Sequence, residues 1–122
     1  MNSIELKART KAFALSVIKL VRQSKKELVL EILFKQVIRS STSVAANYRA
    51  ACRAKSRADF TYKIGIVLEE TDESLLWLEL ISESSILENN NLDLLKNEAN
   101  DLTAIFVSML RSLKGKASSN PK

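Results

Sequence analysis

The sequence predicts an all-α protein, an up-and-down antiparallel four-helix bundle. Only two glycines and one proline occur in 122 residues, and that proline, Pro121, lies near the C-terminus. Turn-forming residues are therefore too few for a strand-rich fold. Four segments instead repeat apolar residues every three or four positions, the spacing of one buried helix face. We expect a single domain over residues 1–114 and a flexible tail over residues 115–122.

The first two helices are predicted from their caps and their apolar faces. Helix one begins at the cap residue Asn2 or Ser3 and runs to about Gln23. The pattern S-x-x-E over residues 24–27 is a capping box, which predicts the start of helix two, and this helix runs to about Ala54. The predicted buried faces are Leu6, Phe13, Val17, Leu20 and Val21 on helix one, and Leu30, Leu33, Val37, Val44, Tyr48 and Ala51 on helix two.

The last two helices are predicted in the same way. The pattern S-x-x-D over residues 56–59 caps helix three, which reaches about Ser84. Asn90 with Asp93 caps helix four, and Gly115 ends it. The predicted buried faces are Phe60, Ile64, Val67, Leu68, Thr71, Leu75 and Leu78 on helix three, and Leu92, Leu95, Ala99, Leu102, Phe106, Met109 and Leu113 on helix four.

Charge is distributed unevenly along the chain. Residues 1–58 carry 13 Lys or Arg against 3 acids, a net charge of +10, whereas residues 59–90 carry 1 against 8, a net charge of −7. A cationic helical surface is typical of nucleic-acid binders. The predicted contact residues lie on helices one and two: Lys7, Lys11, Lys35, Arg39, Arg49 and Arg53.

The carboxylates of helix three allow two interpretations. They could bind a divalent cation, or they could pair with Arg39, Arg49 or Arg53 across helices or subunits. The pairing interpretation agrees better with the abundance of cations on helix two. The predicted structural polar network is Asn47, Glu70, Asp72, Glu73 and Glu79. Gln36, Ser40 and Asn47 share a polar edge of helix two, where such groups usually satisfy one another and otherwise form a recognition pocket.

Helices one and three each carry a second apolar stripe that a small bundle does not cover. The extra stripes hold Ile4, Leu15 and Ile18 on helix one, and Tyr62, Ile66, Trp77 and Leu80 on helix three. Lysine and arginine stems could cover such groups, or they could face a partner. Large exposed apolar patches are uncommon on monomers, so we expect a homo-oligomer with Leu15, Ile18 and Trp77 in its interface.

Several function classes are disfavoured by composition. The chain has no histidine, which excludes Ser-His-Asp and Cys-His catalysis and histidine-containing zinc sites. It has no glycine-rich phosphate loop. We expect no catalytic residue, cofactor, metal or small-molecule substrate. Its one cysteine, Cys52, is expected to be a buried apolar residue rather than a reactive thiol.

The N-terminal segment and the apolar runs bear on localisation. No apolar run approaches the roughly 20 residues that span a bilayer. Charges throughout the N-terminal segment do not fit a signal peptide. We therefore expect a cytoplasmic protein that does not contact membranes.

Two segments carry a family resemblance: RSSTSVAANYRAACRAKSRADF over residues 39–60 and IVLEETDESLLWLEL over residues 66–80. They resemble the signature of the bacterial four-helix-bundle family encoded in 23S rRNA intervening sequences. That family is similar to the accessory variability determinant proteins of diversity-generating retroelements. The positions that match are Arg39, Asn47, Arg49, Arg53, Glu70, Asp72, Glu73, Trp77 and Glu79. Many members carry Glu-Gly where this chain has Arg49 and Ala50, so its surface is more basic.

The resemblance implies a homopentameric four-helix bundle with a role in binding nucleic acid, and a reverse transcriptase as partner in the retroelement branch. Combined with the charge pattern, it leads us to expect a non-enzymatic, pentameric bundle that binds RNA or DNA through its basic surface. The alternative is a protein–protein interaction scaffold whose basic and acidic faces only join subunits.

Overall fold

The computed structural model describes residues 1–119, with side chains described as far as residue 115. Within them lie four helices and no strand, so the predicted all-α fold is confirmed. None of these helices combines the length and apolarity needed to cross a bilayer. The helices are α1 (Ser3–Gln23), α2 (Leu28–Ala51), α3 (Arg57–Glu83) and α4 (Asn90–Ser119).

Each helix packs against its neighbours in the chain, and α1 also packs against α4. No Cα atom of α1 lies within 8 Å of a Cα atom of α3, which places these two helices on a diagonal of the bundle. Because the connections between helices are short, successive helices run antiparallel. The outward faces of α1 and α3 therefore point away from each other.

The core is formed by the predicted apolar faces of all four helices. Phe13, Ile64, Leu78 and Phe106 are among its largest fully buried side chains. The Tyr48 ring packs against Phe106 with their centroids 5.7 Å apart. Several residues placed on these faces by the sequence lie half-buried at the edge of the core instead: Val21, Leu33, Phe60, Leu68, Leu75 and Met109.

Two of the predicted helix starts are confirmed. The Asn2 side chain accepts a hydrogen bond from the Glu5 amide at 2.9 Å and caps α1. The Ser56 hydroxyl accepts one from the Asp59 amide at 3.0 Å and caps α3. Both side chains satisfy amides that have no partner inside the helix.

The predicted capping box at the start of α2 is wrong. The Ser24 hydroxyl donates to the Leu20 carbonyl at 2.6 Å and so belongs to the end of α1. The cap of α2 is Glu27, whose carboxylate accepts from the amides of Val29 and Leu30 at 3.1 and 3.0 Å. Ser24 lies one turn too early because the chain is still extended at Glu27.

The other end of α2 also differs from the prediction. The helix ends at Ala51, three residues before the predicted Ala54. The amide of Arg53 bonds the Ala50 carbonyl and that of Ala54 bonds Ala51, both at 3.0 Å. These bonds reach back only three residues, which tightens the chain into a turn before α3 begins.

Helix α4 begins and ends differently from the prediction. The Asn89 side chain, rather than that of Asn90, accepts a hydrogen bond from the Asn91 amide, at 2.7 Å. The helix then continues through Gly115 to Ser119. No glycine in the described chain has a positive φ, so Gly115 does not form the left-handed stop that the sequence suggested. The domain boundary at residue 114 remains a prediction, and residues 120–122 lie outside the described chain.

Candidate nucleic-acid interface

A polar ladder joins α2 to α3 along the edge predicted from Ser40 and Asn47. The buried hydroxyls of Ser40 and Ser74 hydrogen-bond at 2.7 Å. One turn further along α2, Ser43 donates to the Glu70 carboxylate at 2.8 Å, and the Asn47 amide donates to Ser43 Oγ at 2.8 Å. The ladder fixes the register of α2 against α3 and satisfies polar groups between the two helices.

Arg39 extends this ladder to the surface. Its guanidinium lies 3.3 Å from Glu70 and also contacts the Glu73 carboxylate, so the predicted pairing of Arg39 with Glu73 is confirmed. Two carboxylates thus neutralise a cation that the sequence placed on the nucleic-acid surface. Asp72 and Glu79, which the sequence assigned to the same network, make no hydrogen bond or ion pair with the described residues.

A basic groove lies on the opposite flank of α2, between α2 and α1. It has a volume of about 250 Å³ and is lined by the side chains of Lys7, Lys11, Thr42, Ala45, Ala46 and Arg49. Lys7 and Lys11 are one helical turn apart on α1, as Ala45 and Arg49 are on α2, so the cations flank the groove from both sides. Ala45 and Ala46 have small side chains, which leave the space between the cations open.

The groove cations differ from Arg39 in their partners. Lys7, Lys11 and Arg49 are exposed and form no ion pair with any described residue, and no carboxylate is among the side chains that line the groove. The Thr42 hydroxyl is bonded to the Ile38 carbonyl at 2.7 Å. The structure therefore brings together three of the six predicted contact residues in an uncompensated cationic groove.

The remaining predicted contact residues lie apart from this groove. Lys35 borders a second depression of about 360 Å³, where it joins Arg22, Lys25 and Lys26 above apolar side chains. Arg53 is exposed just beyond the C-terminal end of α2. Sequence reasoning missed the cations of the α1–α2 turn, because only the antiparallel packing of these helices brings the turn beside Lys35.

An ion pair between α1 and α4 was also missed. Arg9 donates from Nε and an Nη atom to the two carboxylate oxygens of Glu98, both at 2.7 Å. This hydrogen bonding is the main reason that the pKa of Arg9 is raised. In the sequence, Arg9 lies beside the buried face of one helix and Glu98 beside that of another. Because 89 residues separate them, the sequence pattern alone did not indicate that they pair.

The predicted interface residues occupy separate surfaces. Leu15 is 56% exposed on the outward side of α1, where it borders a depression with Ile18, Lys19 and Arg22. Trp77 is half-buried on α3, and its indole N–H is buried without a hydrogen-bond acceptor in the described chain. Because α1 and α3 lie on a diagonal of the bundle, one partner surface cannot contact Leu15 and Ile18 on α1 and also Trp77 on α3.

Two smaller predictions concern Cys52 and the carboxylates. Cys52 is half-buried rather than buried, beside Tyr48. Burial, and secondarily a hydrogen bond with the Cys52 thiol, raises the pKa of Tyr48 above its usual range. Among the described residues, no group of three or more His, Cys, Asp or Glu side chains is placed to hold a metal ion.

Comparison with known proteins finds a matching family and a similar solved structure. Residues 2–108 match the sequence model of the family described as 23S rRNA-intervening sequence protein. The chain is also similar to the crystal structure of a protein of unknown function from the S23 ribosomal protein family of Bacteroides thetaiotaomicron VPI-5482, with a TM-score of 0.74 and 30% sequence identity over 86% of this chain and 97% of that chain. No curated protein matches the chain. The family match includes both helices that form the basic groove.

Proposed function

The chain belongs to the 23S rRNA-intervening sequence protein family, and we propose that it is a non-enzymatic homo-oligomer that binds RNA or DNA through the groove between α1 and α2. The observation that carries this proposal is the convergence of Lys7, Lys11 and Arg49 on one groove without a carboxylate. Uncompensated cations attract phosphate groups and release the counterions condensed on a nucleic acid. The groove is therefore a contact for the phosphate backbone.

The proposed binding tolerates any base sequence. Contacts to phosphate position a nucleic acid but carry no direct sequence information. Most aromatic rings that could stack on bases are in or against the core, among them Phe13, Phe34, Tyr48 and Phe106. Tyr62 is 70% exposed, but it lies on α3, away from the groove. Affinity per subunit should be weak and should accumulate when an oligomer repeats the groove.

The oligomer that we propose is a pentamer, as the family resemblance implies. The exposed side chains of Ile4 and Leu15 on α1 support an assembly, since a monomer gains nothing by presenting them to water. Light scattering at micromolar concentration should give a mass near five times that of the 13.7 kDa chain. A mass of one chain would contradict the proposal, and Leu15→Glu should shift the wild-type mass towards that value.

The binding test is a charge reversal in the groove. Fluorescence titration with labelled mixed-sequence RNA and DNA at low salt should show binding that Lys7→Glu with Arg49→Glu abolishes. The matched control, Lys55→Glu with Arg111→Glu, changes the net charge equally at two exposed residues outside the groove. The control should retain most of the affinity. Equal losses in both variants would show that only net charge matters.

Salt dependence provides a second measurement. Each duplex phosphate that is neutralised contributes about −0.9 to the slope of log affinity against log salt. Three phosphate contacts would give a slope of about −2.7, which means an affinity roughly 40-fold lower at 200 mM than at 50 mM salt. The reversal variant should lose this slope together with its affinity.

A protein–protein interaction scaffold is the second candidate function. The observation that favours it is Arg39, a predicted nucleic-acid contact that Glu70 and Glu73 already neutralise. A scaffold would form the same oligomer but bind neither RNA nor DNA more tightly than about millimolar at low salt. The titration described above therefore decides between the two functions.

The setting that we propose is the bacterial cytoplasm. The resemblance to the accessory proteins of diversity-generating retroelements makes a reverse transcriptase the protein partner that we would test first. A gene for such an enzyme beside the gene for this chain would support the partnership. A gene inside an rRNA operon would instead assign the chain to the intervening-sequence branch of its family.

A further inference from the structure

The outward side of α1 combines apolar and basic residues. Successive residues of a helix are rotated by about 100° around its axis. Five side chains of α1 therefore lie within a sector about 100° wide, on the side opposite the core-facing residues. Ile4 is 74% exposed and Leu15 is 56% exposed, and both lie in this sector. We call the set the α1 outer stripe: Ile4, Leu15, Ile18, Lys19 and Arg22. Lys11 lies in the same sector but lines the nucleic-acid groove.

The outward side of α3 has the same geometry and the opposite charge. Leu76 and Leu80 are each more than 40% exposed there, one turn apart. Glu79 lies between them, and three further acids lie on the same side of the helix. We call the set the α3 outer stripe: Tyr62, Glu69, Asp72, Leu76, Glu79, Leu80 and Glu83.

The acids of the α3 outer stripe lack partners in the described chain. Asp59 pairs with Lys63, and Glu70 and Glu73 contact Arg39. The other four carboxylates of α3 make no ion pair or hydrogen bond with the described residues: Glu69, Asp72, Glu79 and Glu83. Like charges three and four residues apart on a helix repel one another, so cations from outside would stabilise the stripe.

We propose that the α1 outer stripe of one copy docks on the α3 outer stripe of the next copy. The α1 outer stripe carries two cations and no acid, whereas the α3 outer stripe carries four acids and no cation, so docking joins opposite charges around apolar side chains. The stripes are also similar in length, at about 27 and 32 Å by the rise of an α-helix. A second copy of this chain therefore matches both stripes in charge, apolar content and length.

The geometry also determines the kind of assembly. Because α1 and α3 lie on a diagonal, the two stripes face in opposite directions and cannot satisfy each other in one two-fold dimer. Each copy uses its α1 outer stripe towards one neighbour and its α3 outer stripe towards the other. Such head-to-tail contacts generate a closed ring or an open filament. This inference rests on the proposed homo-oligomer and specifies how its subunits join.

The test uses charge reversal and its rescue. Lys19→Glu with Arg22→Glu should make the α1 outer stripe acidic, and Asp72→Lys with Glu79→Lys should make the α3 outer stripe basic. Each pair places like charges across the contact, which should raise the dissociation constant of the assembly by about a hundredfold. Light scattering should then show a mass near that of one chain. The four-residue variant restores opposite charges and should recover the wild-type mass.

Controls separate the possible outcomes. Circular dichroism should show unchanged helix content, since these side chains lie on the outer side of the bundle. Lys55→Glu with Arg111→Glu should leave the mass unchanged, because neither residue belongs to a stripe. The titration of Lys7→Glu with Arg49→Glu tests nucleic-acid binding separately.

Four results would overturn the inference. A wild-type chain that is monomeric removes both the oligomer and this interface. A wild-type oligomer whose mass survives both reversals keeps the oligomer but removes the interface. Loss of mass in both reversals without recovery in the four-residue variant shows that each stripe meets some other surface. If the α1 reversal weakens RNA binding but leaves the mass intact, that stripe binds nucleic acid instead.

Discussion

Helix α2 presents arginines on two flanks that differ in their surroundings. Arg39 faces α3, where two carboxylates neutralise it and a ladder of hydroxyl and amide groups continues into the bundle. Arg49 faces α1, where it meets Lys7 and Lys11 in a groove without a carboxylate. One flank therefore stabilises the fold, while the other keeps uncompensated cations, which we propose bind nucleic acid.

The difference follows from the neighbouring helix and not from α2 itself. Helix α3 brings Glu70 and Glu73 to one side of α2, and α1 brings Lys7 and Lys11 to the other side. A cation on α2 is thus compensated or left free according to the direction in which it points. Helix α2 therefore forms ion pairs with α3 on one flank and a cationic groove with α1 on the other.

Removing Glu70 should have the largest effect on the paired flank. Its carboxylate accepts from Arg39 and from Ser43, and its side chain is only 17% exposed. Glu70→Ala leaves the Ser43 hydroxyl without this acceptor and Arg39 with Glu73 alone, so we expect the free energy of unfolding to fall by about 1–2 kcal/mol. Urea denaturation followed by circular dichroism measures the change. Glu88→Ala, which removes an exposed carboxylate from the α3–α4 turn, should change stability by less than about 0.5 kcal/mol. Equal effects would mean that the ladder contributes nothing.

Removing the arginine of each flank in turn should have a smaller effect, measured as the affinity for nucleic acid. Arg49→Ala should lower the affinity for mixed-sequence RNA by about three- to tenfold and reduce the salt slope by about one contact. Arg39→Ala should leave both nearly unchanged, because Glu70 and Glu73 already neutralise that guanidinium. Stability should respond in reverse, with Arg39→Ala the more destabilising variant. Similar binding losses from both variants would contradict the distinction between the flanks.

The helices could be predicted because their signals are local. Apolar spacing and the Ser56 cap act within a few residues, and the structure retains both. The start of α2 could not be predicted as well. Ser24 and Glu27 both have extended backbones and side-chain oxygens that can accept from amides, so the pattern S-x-x-E fits either residue as the cap. Packing of α1 decided between them, since the Ser24 hydroxyl bonds back to Leu20.

The candidate site could be predicted only in part, because it depends on how the helices are aligned. The sequence identified cations on α2 and acids on α3, but a shift of one helical turn, about 5.4 Å, would change which of them meet. Arg39 reached its carboxylates through the register that Ser40 and Ser74 help to fix. The contact of Arg9 with Glu98 joins residues 89 positions apart and gave no local signal.

The smallest expected effect concerns an ion pair within one helix. Because no neighbouring helix takes part in this pair, it shows what an ion pair contributes when it does not join two helices. Asp59 accepts from the Lys63 ammonium at 2.6 Å and from the Lys55 amide at 3.1 Å. These contacts, led by Lys63, lower the pKa of Asp59 from its ordinary value of 3.8. Folding therefore favours the charged form, and the resulting stabilisation is complete above the unfolded-state pKa and is lost as pH falls through the lower folded-state pKa.

Asp59→Asn should accordingly be less stable than the wild type near neutral pH, and the two should converge in strong acid. Urea denaturation at about pH 7 and about pH 2 measures the gap. Lys63→Met removes the main cause of the lowered pKa, so adding it to Asp59→Asn should cost little more stability than Asp59→Asn alone. A gap that stays constant with pH would assign the contribution of Asp59 to packing at the start of α3 instead of to its charge. In that case the charge of a cation–carboxylate pair would matter to this bundle only where the pair joins two helices, as Arg39 and Glu70 do.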